Sequence, residues 1–367
     1  MASFASGRPE LGTSSDNLAA TPAGTTQVPA REATPRPRRP FDGPQGREPC
    51  ELWRWESPCQ LCPRRCGALR ADGARGACGA TGELRVARAA LHFWEEPPIS
   101  GESGSGAIFF SNCPMRCGFC QNGTISAGGF GLPIDVDRLS QIMLELRDQG
   151  ANNINLVTAT HYAPQVIDAV MLARDRGMGL PVVYNTSAYE RPEVVDALAG
   201  VVDVWLPDCK YASPRLAGEL SHAADYPSVA LDAIGRMVAA TKNRGGRLVG
   251  GEQGIMRRGV IVRHLVLPGH ADDSMRVLRE LWDRFGNDID VSVMNQYTPI
   301  VGPQGLPGHP ELGRAVLDDE YELVLDYADD LGFENLWWQQ GGTVEESFIP
   351  DFDATGVLGP ADGGERR

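Results

Sequence analysis

Three cysteines in the chain have the spacing of iron–sulfur ligands. Cys113, Cys117 and Cys120 lie within the segment Ser111–Asn122, which reads SNCPMRCGFCQN. Thiolates at C-x₃-C-x₂-C spacing on one loop can each reach a different iron of a cubane, so the fourth iron is left without a protein thiolate. A four-cysteine cluster mainly transfers electrons, whereas an open metal position can bind a substrate or cofactor directly. The motif therefore predicts a [4Fe-4S] cluster with one open iron.

The alternative for this motif is a zinc site completed by a distant histidine. The chain has six histidines, and none stands close to the motif in the sequence. The N-terminus, MASFASGRPELG, lacks a basic region followed by an apolar core, which argues against a secretory signal. The sequence thus predicts a cytoplasmic protein, where clustered cysteines are metal ligands more often than disulfides.

A second group of cysteines lies nearer the N-terminus. Cys59, Cys62, Cys66 and Cys78 have C-x₂-C-x₃-C-x₁₁-C spacing, with Pro and Gly residues turning the chain between them. Four thiolates in this pattern predict one bound metal. It is either a structural zinc ion that staples a segment without a core, or an auxiliary iron–sulfur cluster. Cys50 lies outside the spacing and receives no role.

Short apolar runs follow the N-terminal cysteine group and alternate with amphipathic stretches, and the Cys113–Cys120 motif comes directly after the first of these runs. Runs rich in Val, Ile, Leu and aromatic residues are typical of buried parallel strands. The predicted strands are Ala107–Ser111, Ile154–Thr158, Pro181–Thr186, Val202–Pro207, Val260–Leu267, Val291–Asn295 and Asn335–Gln339.

The stretches between the runs repeat apolar residues at i, i+3, i+4 and i+7, which predicts helices. They are Val136–Arg147, Pro164–Arg176, Pro192–Leu198, Leu231–Lys242, Asp273–Phe285 and Asp318–Leu331. The alternation predicts an α/β fold with about six strand–helix units, a partial (β/α)₆ TIM-like barrel, with a closed eight-fold barrel as the second choice. Catalytic groups should then lie at the C-terminal ends of the strands.

The composition predicts four regions. Residues 1–47 are rich in Ala, Pro, Gly, Ser and Thr, which predicts a disordered tail. Residues 48–100 form a small cysteine-rich metal-binding segment, residues 101–350 the barrel, and residues 351–367 a polar tail.

The cysteine motif, with Phe119 in the aromatic place of C-x₃-C-x-aromatic-C, resembles the signature of the radical S-adenosylmethionine (SAM) superfamily. The Gln121-Asn122 pair that follows resembles the branch related to pyruvate formate-lyase activating enzyme. The resemblance covers residues 55–345. It implies that SAM binds the open iron and is reductively cleaved to a 5′-deoxyadenosyl radical, which abstracts hydrogen from a protein, peptide or small-molecule substrate. A reductant such as flavodoxin or ferredoxin is implied as partner.

The resemblance also implies residues that bind SAM at the strand ends. Asp208 and Lys210 form a D-x-K segment and share one face of their strand by alternation. Their alternative role is a structural salt bridge. Cys209 between them should point away as a buried filler. Arg263, in RHLVLPG, resembles the arginine that approaches the SAM carboxylate, and His264 should face away.

Weaker candidates are polar residues at two other strand ends. Asn185 and Thr186 offer hydrogen bonds to a ribose, and Asn295–Tyr297 is of the same kind. Activating enzymes commonly carry G-G-E after the second strand, but this sequence reads VTATHY there. Thr160, His161 or backbone carbonyls would have to bind the SAM amine instead, and His161 can equally be a packed loop residue.

Charge and hydropathy limit the partners. A net charge of −14 and a pI near 4.9 argue against a nucleic-acid partner. No apolar run approaches the roughly 20 residues of a membrane span, so no membrane partner is expected. A non-catalytic zinc-binding interaction protein on a barrel scaffold is the rival function, and the substrate stays open.

Overall fold

A computed structural model describes residues 49–250, 254–339 and 350–359. The predicted disordered tail, residues 1–47, lies outside the described residues. The strands are β1 (Arg85–His92), β2 (Ser105–Phe110), β3 (Leu132–Pro133), β4 (Ile154–Val157), β5 (Val182–Thr186), β6 (Val204–Pro207), β7 (Leu248–Gly250), β8 (Ile255–Leu265), β9 (Asp290–Met294) and β10 (Leu336–Trp338).

These strands form one sheet in the order β10-β9-β8-β6-β5-β4-β2-β1-β3, with β7 beside β8. The pairs from β2 to β10 are parallel, whereas β1 pairs antiparallel with β2 and β3, and β7 antiparallel with β8. All residues of β2, β4, β5 and β6 are buried, as in a sheet covered on both faces. The seven predicted strands are confirmed as the parallel part of this sheet.

The helices cover the sheet between consecutive strands. They are α1 (Pro97–Ser100), α2 (Gly123–Ser126), α3 (Val136–Asp148), α4 (Ala163–Asp175), α5 (Pro192–Leu198), α6 (Pro214–Ser221), α7 (Tyr226–Asn243), α8 (Ala271–Phe285) and α9 (Asp318–Leu331). The six predicted helices are confirmed as α3, α4, α5, α7, α8 and α9. In α3, Asp135 caps the N-terminus by accepting a bond from the Arg138 amide at 2.7 Å.

The sheet is open and mostly parallel, with a helix after each of six parallel strands and β10 as a seventh. This architecture confirms the partial (β/α)₆ barrel, and the described residues do not close into the eight-fold alternative. The C-terminal ends of β2, β4, β5, β6, β8 and β9 meet at one edge. No helix in the described part of the chain is long and apolar enough to cross a membrane.

Two of the predicted regions contact the main sheet. Strand β1 lies within residues 48–100 but pairs with β2, so the end of the cysteine-rich segment belongs to the main sheet. Residues 351–359 are mostly exposed or half-buried, but they contact the sheet: the Ala89 amide donates to the Thr355 carbonyl oxygen at 2.9 Å, and Val357 is fully buried. The two backbone segments can approach this closely because residue 356 is glycine: a Cβ there would lie 2.0 Å from the Ala89 carbonyl oxygen. Residues 360–367 lie outside the described residues.

Candidate active site

The loop after β2 brings the three motif cysteines to one cavity. Cys113, Cys117 and Cys120 all line a cavity of about 410 Å³ at the C-terminal edge of the sheet. Asn112 and Arg116 have positive φ angles of 75° and 50°, a conformation that few non-glycine residues adopt. With this backbone, three thiols spread over eight residues line the same cavity.

Hydroxyl groups donate to two of the sulfur atoms. Ser126 Oγ donates to Cys120 Sγ at 3.3 Å, and Ser221 Oγ donates to Cys117 Sγ at 3.0 Å. Tyr211 OH lies 2.6 Å from Ser221 Oγ. Sequence reasoning missed both serines; Ser126 is six residues from its cysteine, and Ser221 lies on α6, 104 residues from its cysteine.

The donor set fits a multi-iron cluster. Burial and then the Cys117 sulfur raise the pKa of Cys113 to about 12, so bound iron is needed to convert this thiol to thiolate at neutral pH. Among the described residues, only His270, His309 and Glu311 place three possible ligand atoms within 4.8 Å of one another. At least one pair of the three cysteine sulfurs is therefore wider than 4.8 Å, whereas a tetrahedral zinc ion holds its sulfurs about 3.8 Å apart.

The opposite wall of the cavity carries paired charges at two strand ends. Lys210 Nζ lies 2.5 Å from Asp208 Oδ2, and Arg263 Nε donates to Asp208 Oδ1 at 3.0 Å. Asp208 and Arg263 also form a parallel backbone bridge that extends the pairing of β6 with β8. Burial raises the pKa of Asp208, but Lys210 and Arg263 together outweigh it and hold that pKa below its usual value. Asp208 is thus an ionised carboxylate inside the site.

Glu95 is a site residue that sequence reasoning missed. Its carboxylate lies 3.1 Å from Arg263 Nη1 and accepts bonds from Asn155 at 2.8 Å and Asn185 at 3.2 Å. Arg263 Nη2 in turn donates to Asn185 Oδ1 at 2.6 Å. The sequence feature that could have indicated it is the acidic pair Glu95-Glu96 in the segment WEEPP, shortly after β1. Glu95 therefore links β4, β5 and β8 through hydrogen bonds, and it accepts one of the hydrogen bonds that the Arg263 guanidinium can donate.

The predicted SAM-binding residues come together in this cavity. The lining includes Phe119, Asn185, Thr186, Asp208, Lys210 and Arg263, together with the three motif cysteines. Thr186 uses its hydroxyl to donate to Glu190 at 2.6 Å. From the weaker candidate segment, Gln296 lines the cavity and accepts a bond from Gln339 at 2.9 Å. Phe93, Trp94 and Trp338 also line it and are 51%, 51% and 58% exposed, so they form an aromatic rim.

The segment in place of G-G-E contributes differently from the expectation. Thr158 lines the cavity, but Thr160 and His161 do not. Thr160 donates to the buried Glu190 at 2.6 Å. His161 Nε2 lies 2.8 Å from the Ser111 carbonyl oxygen, and burial, with the nearby Arg70, lowers its pKa to about 3. His161 therefore packs as a neutral residue beneath the cluster loop.

Three other residues lie outside the cavity. Cys209 and His264 are buried side by side, with His264 Nδ1 2.7 Å from the Cys209 carbonyl oxygen, so both face away from the site as alternation predicts. Cys50 donates its backbone amide to Asp168 at 3.2 Å, and its side chain packs against the core. Cys59, Cys62, Cys66 and Cys78 are also absent from the cavity lining.

Solved structures with a similar course of the chain include radical SAM enzymes. SuiB of Streptococcus suis bound to S-adenosylmethionine is 13% identical, with a TM-score of 0.44 over 63% of this chain and 49% of that chain. This chain thus spans about half the length of SuiB. A radical SAM methyltransferase from Sphaerobacter thermophilus is 16% identical, with a TM-score of 0.43 over 66% of this chain and 69% of the other. At these identities the likeness concerns the fold alone.

Sequence comparison is more specific. An uncharacterised protein of Methanocaldococcus jannaschii is 27% identical over 286 residues, which are 76% of each chain. Residues 107–281 match the family model of the radical SAM superfamily. The matched segment begins in β2 and ends in α8, so it contains the cysteine loop, Asp208, Lys210 and Arg263. The chain therefore carries a domain of the radical SAM superfamily.

Proposed function

We propose that this protein is a radical SAM enzyme of the activating-enzyme branch. Its [4Fe-4S] cluster would bind SAM at the open iron and cleave it reductively, giving a 5′-deoxyadenosyl radical that abstracts hydrogen from a protein, peptide or small-molecule substrate. One observation carries the proposal: the three thiols of the β2 loop and the charged group Asp208, Lys210 and Arg263 open into the same cavity. A volume of about 410 Å³ is in the range of small-molecule sites.

Each wall of the cavity has a separate task in this proposal. Cys113, Cys117 and Cys120 hold the cluster. Lys210 and Arg263 offer cationic donors for the methionyl carboxylate of SAM, because charge-assisted bonds are the strong ones in a buried site. Asp208 keeps both cations in place through its contacts of 2.5 Å and 3.0 Å.

The ribose and adenine of SAM would lie along the ends of β4 and β5. Thr158 and Asn185 line this part of the cavity, and Thr186 offers its backbone there because its hydroxyl is bonded to Glu190. Phe119 packs 6.1 Å from the Tyr297 ring, which fixes the cluster loop against the segment after β9. The aromatic rim at Phe93, Trp94 and Trp338 is where a substrate would enter.

The rival function is a zinc-binding interaction protein without catalysis. A radical SAM domain and sulfurs spread wider than a zinc tetrahedron both favour the enzyme. We expect an oxidoreductase that takes electrons from flavodoxin or ferredoxin in the cytoplasm. The proposed partners include neither a nucleic acid nor a membrane.

The test is SAM cleavage by anaerobically purified, iron-loaded protein after reduction with dithionite. Liquid chromatography should detect 5′-deoxyadenosine and methionine even without substrate. A variant with alanine at positions 113, 117 and 120 is the matched control and should form neither product. If the loaded wild-type protein forms no deoxyadenosine, with or without candidate substrates, the proposed function is wrong.

A further inference from the structure

The four N-terminal cysteines converge around a small space outside the cavity. Cys59, Cys62 and Cys78 are buried, and Cys66 is exposed at the edge of the group. A Cβ on Gly76 would lie 3.3 Å from Cys66 Sγ and 3.5 Å from Cys78 Sγ. Gly76 therefore leaves space between these two sulfur atoms, and a bound metal centre would fill that space.

A buried cation points into the same group. Arg70 is 1% exposed, and its Nη1 lies 3.8 Å from Cys59 Sγ and donates to the His161 carbonyl oxygen at 2.7 Å. Its Nε and Nη2 donate to the Thr81 carbonyl oxygen at 3.0 Å and 2.6 Å. Arg70 has no ion pair with a carboxylate among the described residues, and the charges of Cys59 and Cys78 act on it more strongly than that of the buried Glu56. A metal–thiolate centre would add negative charge beside this buried guanidinium, which four neutral thiols do not.

The spacing of the sulfurs distinguishes between two kinds of metal centre. No three of these four sulfurs lie within 4.8 Å of one another, because His270, His309 and Glu311 are the only described residues that form such a group. A zinc ion with Zn–S bonds near 2.3 Å would hold all four sulfurs about 3.8 Å apart. An iron–sulfur cluster is larger and holds its cysteines farther apart. We propose that Cys59, Cys62, Cys66 and Cys78 bind a second iron–sulfur cluster, next to the radical-site cluster.

Arg64 connects the two cysteine groups. It stands between Cys62 and Cys66 in the sequence, and its Nε donates to the Pro114 carbonyl oxygen at 3.1 Å. Its Nη2 donates to the Ser221 carbonyl oxygen at 3.0 Å. Pro114 belongs to the radical-site loop, and the Ser221 hydroxyl donates to Cys117. The loop that holds the second cluster is thus bonded directly to the residues around the first.

The experiment removes the radical-site cluster and asks whether iron remains. The variant with alanine at positions 113, 117 and 120 is reconstituted anaerobically with iron and sulfide, and its iron, zinc and Mössbauer spectrum are measured. We expect about four irons per chain as a [4Fe-4S] cluster, lost when Cys62→Ala is added and kept when Cys209→Ala is added. This outcome does not depend on SAM cleavage, so it can fail while the proposed function stands.

A second measurement covers the case in which that variant does not fold. The full wild-type chain should bind about eight irons, and Cys62→Ala alone should bind about four. The reduced wild-type protein should also show an electron paramagnetic resonance spectrum broadened by interaction between the two clusters. One zinc ion per chain or no retained metal would overturn the proposal, and a spectrum equal to the sum of two isolated clusters would overturn the placement of the second cluster next to the first.

The midpoint potential of the second cluster tests whether Arg70 faces an anionic cluster or has only a structural role. Reduction adds a negative charge to the cluster, and a nearby guanidinium stabilises that charge. In the background without the radical-site cysteines, Arg70→Met should therefore shift the midpoint potential of the remaining cluster to a more negative value, and Arg70→Lys should largely restore it. An unchanged potential in Arg70→Met would show that no anionic cluster faces this residue.

Discussion

The guanidinium of Arg263 already has three protein partners. Glu95, Asp208 and Asn185 accept its hydrogen bonds at 3.1, 3.0 and 2.6 Å. Two carboxylates thus surround this one arginine. Lys210 is the second cation in the site, and its Nζ lies 2.5 Å from Asp208 Oδ2. A SAM carboxylate would therefore share Arg263 with Asp208 and Glu95 rather than meet a free cation, and its binding depends on how firmly those acids hold the arginine.

Arg263→Ala should raise the SAM concentration needed for cleavage about ten- to hundredfold. The reason is that a charge-assisted contact contributes about 1.5–3 kcal/mol, and its loss weakens binding by that factor. Deoxyadenosine formation against SAM concentration measures the change, and iron content should stay at the wild-type value. Arg257→Ala, on the exposed face of the same strand, is the matched control. Equal SAM dependence in wild type and Arg263→Ala would remove the arginine from the binding role.

Cys117→Ala should remove the radical-site cluster and leave the fold intact. Only two thiolates of the motif remain, too few to hold a cubane with an open iron. Iron analysis after anaerobic reconstitution should show the loss of about four irons. Cys209→Ala changes a buried cysteine outside both groups and should keep the wild-type iron content. Equal iron in Cys117→Ala and wild type would refute the assignment.

At the level of elements, the short helix α6 supports the cluster loop from outside the sheet. The Gly118 amide donates to the Leu220 carbonyl oxygen at 2.9 Å, and the Ser221 hydroxyl donates to the Cys117 sulfur at 3.0 Å. Hydrogen bonds to cluster sulfurs help set the reduction potential, and a donor favours the reduced, more negative state. The helix thus acts on the ease of reduction as well as on the loop's position.

Ser221→Ala should shift the midpoint potential of the radical-site cluster to a more negative value, because the reduced state loses a hydrogen-bond donor. Redox titration followed by electron paramagnetic resonance measures the shift, and iron content should not change. Ser228→Ala, in the first turn of α7, removes an exposed hydroxyl bonded only to the Asp225 carbonyl oxygen and is the control. An unshifted potential in Ser221→Ala would limit α6 to a purely structural role.

The parallel strands and main helices follow from periodicity because each is a local pattern of burial. The contacts that assemble the site do not, since they join distant segments. Glu95 meets Asn155, Asn185 and Arg263 at separations of 60, 90 and 168 residues. Asp208, Lys210 and Arg263 were reached through family resemblance, and their position at strand ends agrees with the fold. Helix α6, with eight residues, was not among the predicted helices.

Across the whole molecule, one buried acid makes the fold sensitive to pH. Glu190 is fully buried, and one of its oxygens accepts from Thr160, Thr186 and Tyr184 at 2.6, 2.6 and 3.2 Å. Burial raises the pKa of Glu190 from 4.5 to about 7, and the three hydroxyl donors only partly oppose that effect. The carboxyl group thus ties the segment after β4 to the end of β5, and its charged form is disfavoured in the folded state.

Glu190→Gln should therefore gain stability relative to wild type as the pH rises from 5 to 8. Below about pH 4.5, Glu190 is protonated in both the folded and the unfolded wild-type protein. Between about pH 4.5 and 7 only the folded protein keeps this proton, so the free energy of unfolding falls as the pH rises. The free energy of unfolding should change by about 2–3 kcal/mol in favour of the variant over this range. Anaerobic urea unfolding of the metal-loaded proteins at both pH values measures the difference, with Glu193→Gln, on the exposed side of α5, as control. Parallel pH curves for wild type and Glu190→Gln would mean that Glu190 ionises equally in the folded and unfolded chains.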